Sequence, residues 1–202
     1  LRRDPDHIAG LVLEVCPKLQ CLVFCATKQN CENVADLVAD LMPRECTKLK
    51  RDEKKNLIEC IKADSNGRIC PVLAKTIPFG VAYHHSGLTS DERKHLEEAY
   101  RLNIICLICC TSTLAAGVNL PAKRVIIRSP YIGRNFLTLT RYKQMVGRAG
   151  RAGKCDSGES IMVCDPKDHQ KLKDLLCSKM DETVSGFVQD SSRKLVQTVV
   201  LN

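Results

Sequence analysis

Two periodicities follow one another between Cys21 and Pro43, where the chain reads Cys21-Leu-Val-Phe-Cys25-Ala-Thr27-Lys28-Gln-Asn-Cys-Glu-Asn-Val-Ala-Asp-Leu-Val-Ala-Asp-Leu-Met-Pro43. The first five residues are uniformly apolar, which is typical of a strand buried on both faces. Apolar residues then recur at helical spacing, with Thr27 suited to cap the helix and Pro43 to end it. A buried strand followed by an amphipathic helix is the repeating unit of a parallel α/β sheet.

The same alternation continues along the chain. It predicts further strands at 80–83, 104–109, 124–128 and 159–164. It predicts helices within 44–66, after the capping box that Thr89 forms with Glu92, around Gln144, and after Asp165-Pro166. Residues 181–202 carry a sparse helical periodicity. The predicted class is therefore α/β, with a parallel sheet flanked by helices.

Composition sets broad limits on the class of protein. A chain of 202 residues with 44% apolar content forms one domain, or one domain and part of another. No apolar run approaches the ~18 residues of a membrane span, and the N-terminus lacks a signal-peptide layout. Because the chain opens mid-pattern with Leu1, we expect a fragment of a longer protein. The net charge of +8 fits a polyanionic partner, although many soluble domains are this basic.

Thirteen cysteines suggest a disulfide scaffold or a metal site, but their positions argue against both. Several lie inside apolar runs, where cysteine behaves as a small buried hydrophobe. Cys106 and Cys109 have the spacing of a metal or redox pair, yet they fall in a predicted strand and no second pair completes a site. We predict no metal site, and the free thiols favour a reducing compartment, the cytosol or nucleus.

A basic segment ends the helix predicted around Gln144, and it reads Gln144-Met-Val-Gly147-Arg148-Ala-Gly150-Arg151. Arginines three residues apart on a helix end can point the same way, and the glycines allow close approach of a ligand. Forked cations aimed in one direction suit the phosphates of a nucleotide. The alternative is a solvated basic turn.

Three loop regions follow three predicted strands: Ala26-Thr27-Lys28, Thr111-Ser112-Thr113 and the region of the arginine-bearing helix. Loops at the carboxyl ends of parallel strands gather on one edge of the sheet, where ligands bind. Hydroxyls and backbone N–H groups in these loops are suited to phosphate. The alternative is ordinary helix capping by Thr and Ser.

Four segments together resemble motifs of superfamily 2 helicases. Residues 22–32 resemble motif IV, and residues 84–88 (His-His-Ser-Gly-Leu) resemble motif IVa. Residues 111–122 (Thr-Ser-Thr-Leu-Ala-Ala-Gly-Val-Asn-Leu-Pro-Ala) resemble motif V, and residues 144–151 resemble motif VI. Over about residues 20–178 the chain is similar to the branch that contains helicase POLQ-like and the helicase domain of DNA polymerase theta. RNA helicases of the exosome-associated branch share a looser version of motifs V and VI.

The resemblance implies roles around a nucleotide. Arg148 and Arg151 would be arginine fingers for the γ-phosphate of ATP, and Gln144 would contact the same nucleotide. Gly117 and Asn119 would couple the state of the nucleotide to the bound strand.

The resemblance also implies a nucleic-acid contact surface. Its residues would be Thr27, Lys28, His85, Thr111, Ser112, Tyr131 and Phe136. For His84 and His85, a structural or strand-contacting role is favoured over a metal or catalytic role. Relatives in this family place a strand-separating hairpin between motifs V and VI, which would here be residues 129–140. The alternative for that segment is a surface loop whose aromatics pack on the sheet.

The sequence lacks a phosphate-binding Gly-x4-Gly-Lys-Ser/Thr loop, and Asp91-Glu92 opens a polar capped helix instead of ending an apolar strand as a magnesium-binding pair does. The resemblance therefore implies a second RecA-like domain at 1–178. A preceding RecA-like domain would be its partner and bind most of ATP and Mg²⁺. Residues 179–202 would begin a following helical, winged-helix domain.

The expected function is that of the C-terminal motor lobe of an ATP-dependent 3′–5′ DNA helicase, acting on single-stranded or forked DNA in nuclear DNA repair. It has no predicted membrane association, and the fragment alone would be inactive. The alternatives are an RNA helicase lobe and a non-catalytic nucleic-acid-binding module.

Overall fold

A computed structural model of the chain describes residues 4, 6–150 and 157–177 with their side chains, and the backbone of residues 195–200. Eight strands are assigned in this part of the chain. They are β1 (Cys21–Phe24), β2 (Val81–His84), β3 (Leu107–Cys110), β4 (Arg124–Ile127), β5 (Tyr131–Ile132), β6 (Asn135–Phe136), β7 (Glu159–Cys164) and β8 (Leu195–Val200).

Eight α-helices connect these strands among the described residues. They are α1 (Ile8–Leu13), α2 (Lys28–Leu41), α3 (Arg51–Asp64), α4 (Pro71–Thr76), α5 (Ser90–Arg101), α6 (Thr113–Gly117), α7 (Leu139–Val146) and α8 (His169–Cys177). Short 3-10 turns lie at Arg44–Thr47, Ile77–Phe79 and Pro166–Asp168. No helix in the described ranges is long and apolar enough to cross a bilayer.

The main sheet has the strand order β2-β3-β1-β4-β7-β8, and every pairing in it is parallel. All residues of β1, β2, β3 and β4 are buried. Because neighbouring residues of a strand point to opposite faces, both faces of the sheet must be covered. Helix α2 packs against β2 and β3, and α7 packs against β4. The α/β prediction is confirmed.

The predicted helix starts are also confirmed. The Thr27 side chain accepts a hydrogen bond from the Asn30 backbone N–H at the start of α2. Thr89 and Glu92 form the expected reciprocal capping box at the start of α5. Asp91 and Glu92 therefore belong to the first turn of a capped surface helix, where carboxylates also favour the helix dipole.

The third strand begins later than the sequence predicts, at Leu107 instead of residue 104. The backbone N–H groups of Ile104 and Ile105 both donate to Ala99 O, at 2.8 and 3.2 Å. Asn103 has a positive φ of 57° and turns the chain there. These two isoleucines are thus engaged in closing the C-terminal end of α5, although their apolar character resembles that of the strand.

Residues 195–200, expected to be helical, form strand β8 beside β7, with Leu195 opposite Glu159 and Val200 opposite Cys164. The segment Leu-Val-Gln-Thr-Val-Val is rich in β-branched residues, which suit a strand at an otherwise unpaired sheet edge. The helical interpretation was therefore wrong for these six residues. Residues 178–194 lie outside the described ranges, so the domain boundary and the winged helix stay predictions.

Arg124 joins three elements at the amino end of β4. Its guanidinium donates to Glu159 at 2.7 Å, to the Leu11 carbonyl at 2.7 Å and to the Glu14 carboxylate. The Arg124 side chain is only 10% exposed, whereas that of Glu14 is 60% exposed. Arg124 therefore ties α1 to β4 and β7 through charge-assisted hydrogen bonds in a mostly buried position.

Replacing Arg124 with Met keeps the apolar stem but leaves the half-buried Glu159 without its cation. We expect the free energy of unfolding in urea to fall by about 2 kcal/mol, between the values for surface and fully buried pairs. Arg101→Met is the matched control, because Arg101 also pairs with two carboxylates but its side chain is 44% exposed. Its cost should stay below about 1 kcal/mol. Equal losses would contradict this role for Arg124.

Candidate functional site

The carboxyl ends of three neighbouring strands are level with one another. Phe24 of β1 lies opposite Cys110 of β3 and Ile127 of β4. The chain stays in register just beyond the strands, where Cys25 N donates to Cys110 O at 2.8 Å and Arg128 N donates to Phe24 O at 3.0 Å. The loops that follow β1, β3 and β4 therefore leave the sheet at one edge, as the sequence predicted.

The segments resembling motifs V and VI are joined through their backbones. Ala122 N donates to Arg148 O at 2.9 Å, and Gly150 N donates to Ala122 O at 2.8 Å. An isolated parallel bridge pairs Ala122 with Ala149. A shift of either segment would break these hydrogen bonds, so the two segments are positioned as one unit.

The Arg148 side chain adds a second link between the same segments. Its Nε donates to the Ala115 carbonyl at 3.2 Å, its Nη2 donates to that same carbonyl, and its Nη1 donates to Asn119 Oδ1 at 3.1 Å. The carbonyls at the end of α6 have no partners in the helix and attract a cation. A guanidinium has five N–H groups, so about two remain for another acceptor.

The other predicted nucleotide-contacting residues have different surroundings. Gln144 is exposed on α7, and Gly117 is the exposed last residue of α6. A Cβ added at Gly117 would meet no atom within 4 Å, so local packing does not require glycine there. Arg151 lies outside the described residues. The structure thus brings together Arg148 and Asn119 from the predicted set.

The predicted strand-contacting loops are polar, but most of their hydroxyl groups have local partners. Thr27 Oγ1 caps α2, so the capping interpretation is confirmed for this residue, and its side chain and that of Lys28 are exposed. Thr111 Oγ1 lies 2.9 Å from Thr113 Oγ1. Ser112 is buried and makes no side-chain cap. Thr27, Lys28 and Thr113 therefore present the accessible polar groups of this edge.

His84 and His85 are buried and hydrogen-bonded within the lobe. His84 Nε2 lies 2.9 Å from Glu97 Oε1, and His85 Nε2 lies 3.0 Å from Glu32 Oε1. His85 Nδ1 accepts a hydrogen bond from Gly87 N at 3.0 Å. Both ring nitrogens of His85 are occupied, so the structure gives this residue a role in holding the motif IVa turn and not an accessible contact.

Burial lowers the pKa of His84 below its ordinary value, although Glu97 acts in the opposite direction. Its Nδ1 is buried and has no hydrogen-bond partner. If the His84 ring were charged, its second proton would lie on Nδ1, where it would have no acceptor. The buried charge would also lose its contact with water, and both effects cost free energy. His84 is therefore neutral, and its Nε2–H donates to Glu97.

Residues 131–136 form the hairpin that the resemblance implied. Strands β5 and β6 pair antiparallel, and Gly133 turns the chain with a positive φ of 60°. Gly133 N donates to the Ala26 carbonyl at 2.9 Å, which holds the hairpin beside the loop that carries Thr27.

The aromatic residues do not form the tip of this hairpin. Tyr131 and Phe136 lie edge to face with ring centroids 5.3 Å apart. The Tyr131 hydroxyl donates to Asp168 Oδ1 at 2.8 Å, and Lys171 Nζ lies 4.2 Å from the centre of the Phe136 ring. Both aromatics are half-buried, and the exposed tip is Gly133-Arg134-Asn135. The rings stabilise one another and the base of the hairpin, so the nucleic-acid contact expected of Tyr131 and Phe136 would not be made from its tip.

The described residues contain no group of three His, Cys, Asp or Glu that could hold a metal ion. Cys109 and Cys110 are fully buried in β3, and burial raises the pKa of both thiols. Cys106 donates to the Gly80 carbonyl at 3.3 Å. These thiols serve as small core residues, as their place in apolar runs predicted.

Gly158 is a site residue that the sequence analysis did not single out. A Cβ at this position would lie well under 3.0 Å from Gly150 N, Gly150 Cα and the Ala149 carbonyl carbon. Gly158 therefore allows the start of β7 to approach the backbone of motif VI directly. The only sequence signal for it was a glycine just before a predicted strand.

The lobe has a parallel α/β fold, and its segments resembling motifs V and VI are hydrogen-bonded to each other. This is the architecture of a superfamily 2 helicase C-terminal domain. The model of the family described as helicase conserved C-terminal domain matches residues 38–153. The chain belongs to this family.

Named relatives cover the whole length of the chain. It is 53% identical over 201 residues to helicase POLQ-like of Homo sapiens, covering 100% of the chain and 18% of that protein. It is 42% identical over 188 residues to DNA polymerase theta of Mus musculus, covering 86% of the chain and 7% of that protein. It is 34% identical over 178 residues to ATP-dependent DNA helicase Hel308 of Methanocella arvoryzae, covering 85% of the chain and 24% of that protein. The chain spans about a fifth of the length of the first two relatives it matches.

The approach of Gly158 to Gly150 is open to a direct test. Gly158→Ala should lower the free energy of unfolding by about 1–3 kcal/mol, since an added methyl group must displace backbone atoms. Gly10→Ala is the control, because its Cβ would meet only Asp4 Oδ2, at an ordinary 3.6 Å, within α1. That variant should be neutral or slightly more stable. If urea denaturation gives the two variants the same stability, the close approach does not constrain motif VI.

Proposed function

We propose that the chain is the C-terminal motor lobe of an ATP-dependent DNA helicase that moves 3′ to 5′ on single-stranded or forked DNA in nuclear DNA repair. Membership of the helicase C-terminal family supports the motor role. The printed name of the Hel308 relative, an ATP-dependent DNA helicase, supports DNA as the substrate. The polarity, the repair process and the nuclear location rest on the resemblance to the POLQ-like branch.

The linkage of Arg148 to Asn119 and Ala115 is the observation that carries this proposal. Arg148 is proposed to contact the nucleotide. It donates hydrogen bonds to Ala115 and Asn119 of the segment that resembles motif V, which is proposed to respond to the bound nucleic-acid strand. A change in what the guanidinium binds would alter its hydrogen bonds to α6. Nucleotide state and strand contact would thus be coupled through a few hydrogen bonds, each worth about 1.5–3 kcal/mol when charged groups take part.

ATP and Mg²⁺ would be held mainly by a preceding RecA-like domain, and ATP would supply the phosphoryl group whose transfer to water drives the cycle. The free N–H groups of Arg148 fit a phosphate oxygen, and exposed Gln144 can contact the same nucleotide. Arg151 would be the second arginine finger. These cations would act when the two lobes approach, as arginine fingers do in related phosphoryl transfer.

Strand binding would use the polar loops at the carboxyl edge. Exposed Thr27 and Lys28, together with half-buried Thr111, would follow the phosphate backbone, which makes binding insensitive to base sequence and sensitive to salt. Ser112 is left out because its side chain is buried. His85 is left out of this surface because both of its ring nitrogens are engaged inside the lobe.

Two other functions compete with this proposal. An RNA helicase lobe would use the same phosphate contacts, and a strand-choice unwinding assay separates it from a DNA helicase. A non-catalytic nucleic-acid-binding module would need no arginine finger. ATP hydrolysis by the full-length protein is the experiment that separates a motor from such a module.

Substituting the proposed fingers gives the sharpest test. In the full-length protein, Arg151→Ala and Arg148→Ala should each lower the kcat of DNA-stimulated ATP hydrolysis by at least ~10³, the low end for loss of an arginine finger. Affinity for single-stranded DNA should persist, because the strand loops are intact. The purified 202-residue chain should show no hydrolysis of its own.

Two further variants refine this test. Arg141→Ala is the control for loss of a nearby arginine. Arg141 lies at an exposed position of α7, so this variant should retain activity. Asn119→Ala removes the side-chain acceptor of Arg148 but keeps the cation, so basal hydrolysis should survive while stimulation by DNA is lost. Robust magnesium-dependent hydrolysis by the isolated chain, or full activity of Arg151→Ala, would contradict the proposal.

The hairpin is proposed to separate strands through its exposed tip, with Tyr131 and Phe136 bracing the base. Replacing residues 132–137 with Asn-Gly should reduce duplex unwinding about tenfold or more, since one DNA stacking step is worth ~1.4 kcal/mol. DNA-stimulated ATP hydrolysis should remain. Arg134→Ala tests the tip alone, with Arg68→Ala at another exposed position as its control. If unwinding and hydrolysis fall together, or neither changes, the hairpin is not the wedge.

A further inference from the structure

A second basic surface lies at the amino edge of the sheet, away from the motif loops. It is a cavity of about 420 Å³. Its lining residues are Thr47, Lys48, Arg51, Lys54, Lys55, Ile58 and Pro78. Pro78 shortly precedes Gly80, whose carbonyl accepts a hydrogen bond from Cys106 N at 2.8 Å, just before the start of β3. The proposed helicase function makes no use of this cavity.

Three of the four cations that line the cavity lie on one face of α3, and the fourth is Lys48, which precedes the helix. Arg51, Lys54, Lys55 and Ile58 are spaced three, four and seven residues apart, which places them on the same side of the helix. The acidic residues of the first turn, Asp52 and Glu53, do not line the cavity. Four cations and no carboxylate therefore surround this space.

Lys54 is the buried member of this group, with 5% of its surface exposed. Its ammonium donates to the Cys46 carbonyl at 2.8 Å and the Pro78 carbonyl at 3.0 Å, which leaves one N–H. Burial lowers the pKa of Lys54 below its ordinary value. Among the described residues no carboxylate lies within 4.0 Å of it, and the neighbouring Glu53 acts on it only from farther away, so this buried cation has no directly paired anion.

The exposed cations of the cavity also lack acidic partners in the described part of the chain. Lys48, Arg51 and Lys55 form no ion pair there, whereas Lys75 on α4 bridges Asp36 and Asp40 at 2.6 and 2.8 Å. Concentrated like charge costs free energy unless an anion compensates it. The two fixed hydrogen bonds of Lys54 hold one cation in place before any ligand arrives.

From this arrangement we infer that the cavity is an oxyanion site that binds a phosphate group through Lys48, Arg51, Lys54 and Lys55. A compact, doubly charged phosphate satisfies several converging N–H donors at once, which a single carboxylate does not. The first turn of α3 adds backbone N–H groups, since no side chain caps this helix. The same phosphate chemistry is presented by a polynucleotide backbone and by a free polyphosphate, and the experiment separates these sources.

The test uses the full-length protein with Arg51→Gln and Lys55→Gln combined, because both side chains are exposed and their loss should leave the fold intact. The probes are inorganic pyrophosphate, followed by calorimetry, and a labelled single-stranded DNA oligonucleotide, followed by anisotropy. Lys94→Gln with Arg101→Gln on α5 is the control of equal charge change. Arg148→Ala, which removes a cation of the proposed nucleotide site, serves as a second background, and the cavity substitutions should have the same effect in it.

Pyrophosphate affinity should fall about tenfold or more in the cavity variant, as expected for the loss of charged hydrogen bonds, and not in the control. The affinity for DNA then separates the two sources of phosphate. If it falls as well, and the slope of log K against log salt concentration becomes about 1.4 less steep, as expected for two lost phosphate contacts on a single strand, the bound phosphates belong to a polynucleotide. If DNA binding is unchanged, they belong to a free polyphosphate. The inference is overturned if the cavity variant binds pyrophosphate as tightly as the wild type, or if the control variant loses as much affinity. It is also overturned if the protein binds poly-glutamate but not pyrophosphate. Disappearance of the cavity effect in the Arg148→Ala background would overturn it too, because the pyrophosphate would then be bound at the proposed nucleotide site.

Discussion

The parallel register of β1 with β3 and β4 is the constraint on which the site depends. Cys21 to Phe24 pair residue by residue with Leu107 to Cys110 on one side and with Arg124 to Ile127 on the other. Because the strands end level, the loops that follow them leave the sheet together. Burial of every residue in these strands fixes the register, since a slip by one residue would exchange the side chains of the two faces.

Three levels of contact then build on this register. Backbone hydrogen bonds join Ala122 to Arg148 and Gly150, and close approach of Gly158 supports the same turn. The guanidinium of Arg148 adds side-chain contacts to Ala115 and Asn119. The backbone contacts fix the positions of the two segments, whereas the side-chain contacts are made by rotatable charged groups.

The same burial determines which reactive-looking residues are structural. Cys109, Cys110 and His84 have the chemistry of metal ligands or catalysts, but each lies inside the sheet or against it. Burial raises the pKa of the thiols and lowers that of the imidazole, and both shifts favour the neutral form. The motif residues lie at the carboxyl edge of the sheet, and Lys54 and Lys55 of α3 line the cavity at the amino edge.

The sequence by itself determined the α/β class and the helix caps at Thr27 and Thr89, because apolar period and capping are local properties. The motif segments and the hairpin were predicted only through the resemblance to superfamily 2 helicases, since local pattern alone also allowed a surface loop at residues 129–140. Tertiary structure decided what depends on distant partners. Ile104 and Ile105 close α5 because Ala99 offers a free carbonyl, and residues 195–200 form a strand because β7 offers an edge. Tyr131 turns toward Asp168, and His85 is enclosed by Glu32 and Gly87. Asp168 is 37 residues from Tyr131 and Glu32 is 53 residues from His85, so no local pattern predicts these two contacts and only the folded chain shows them.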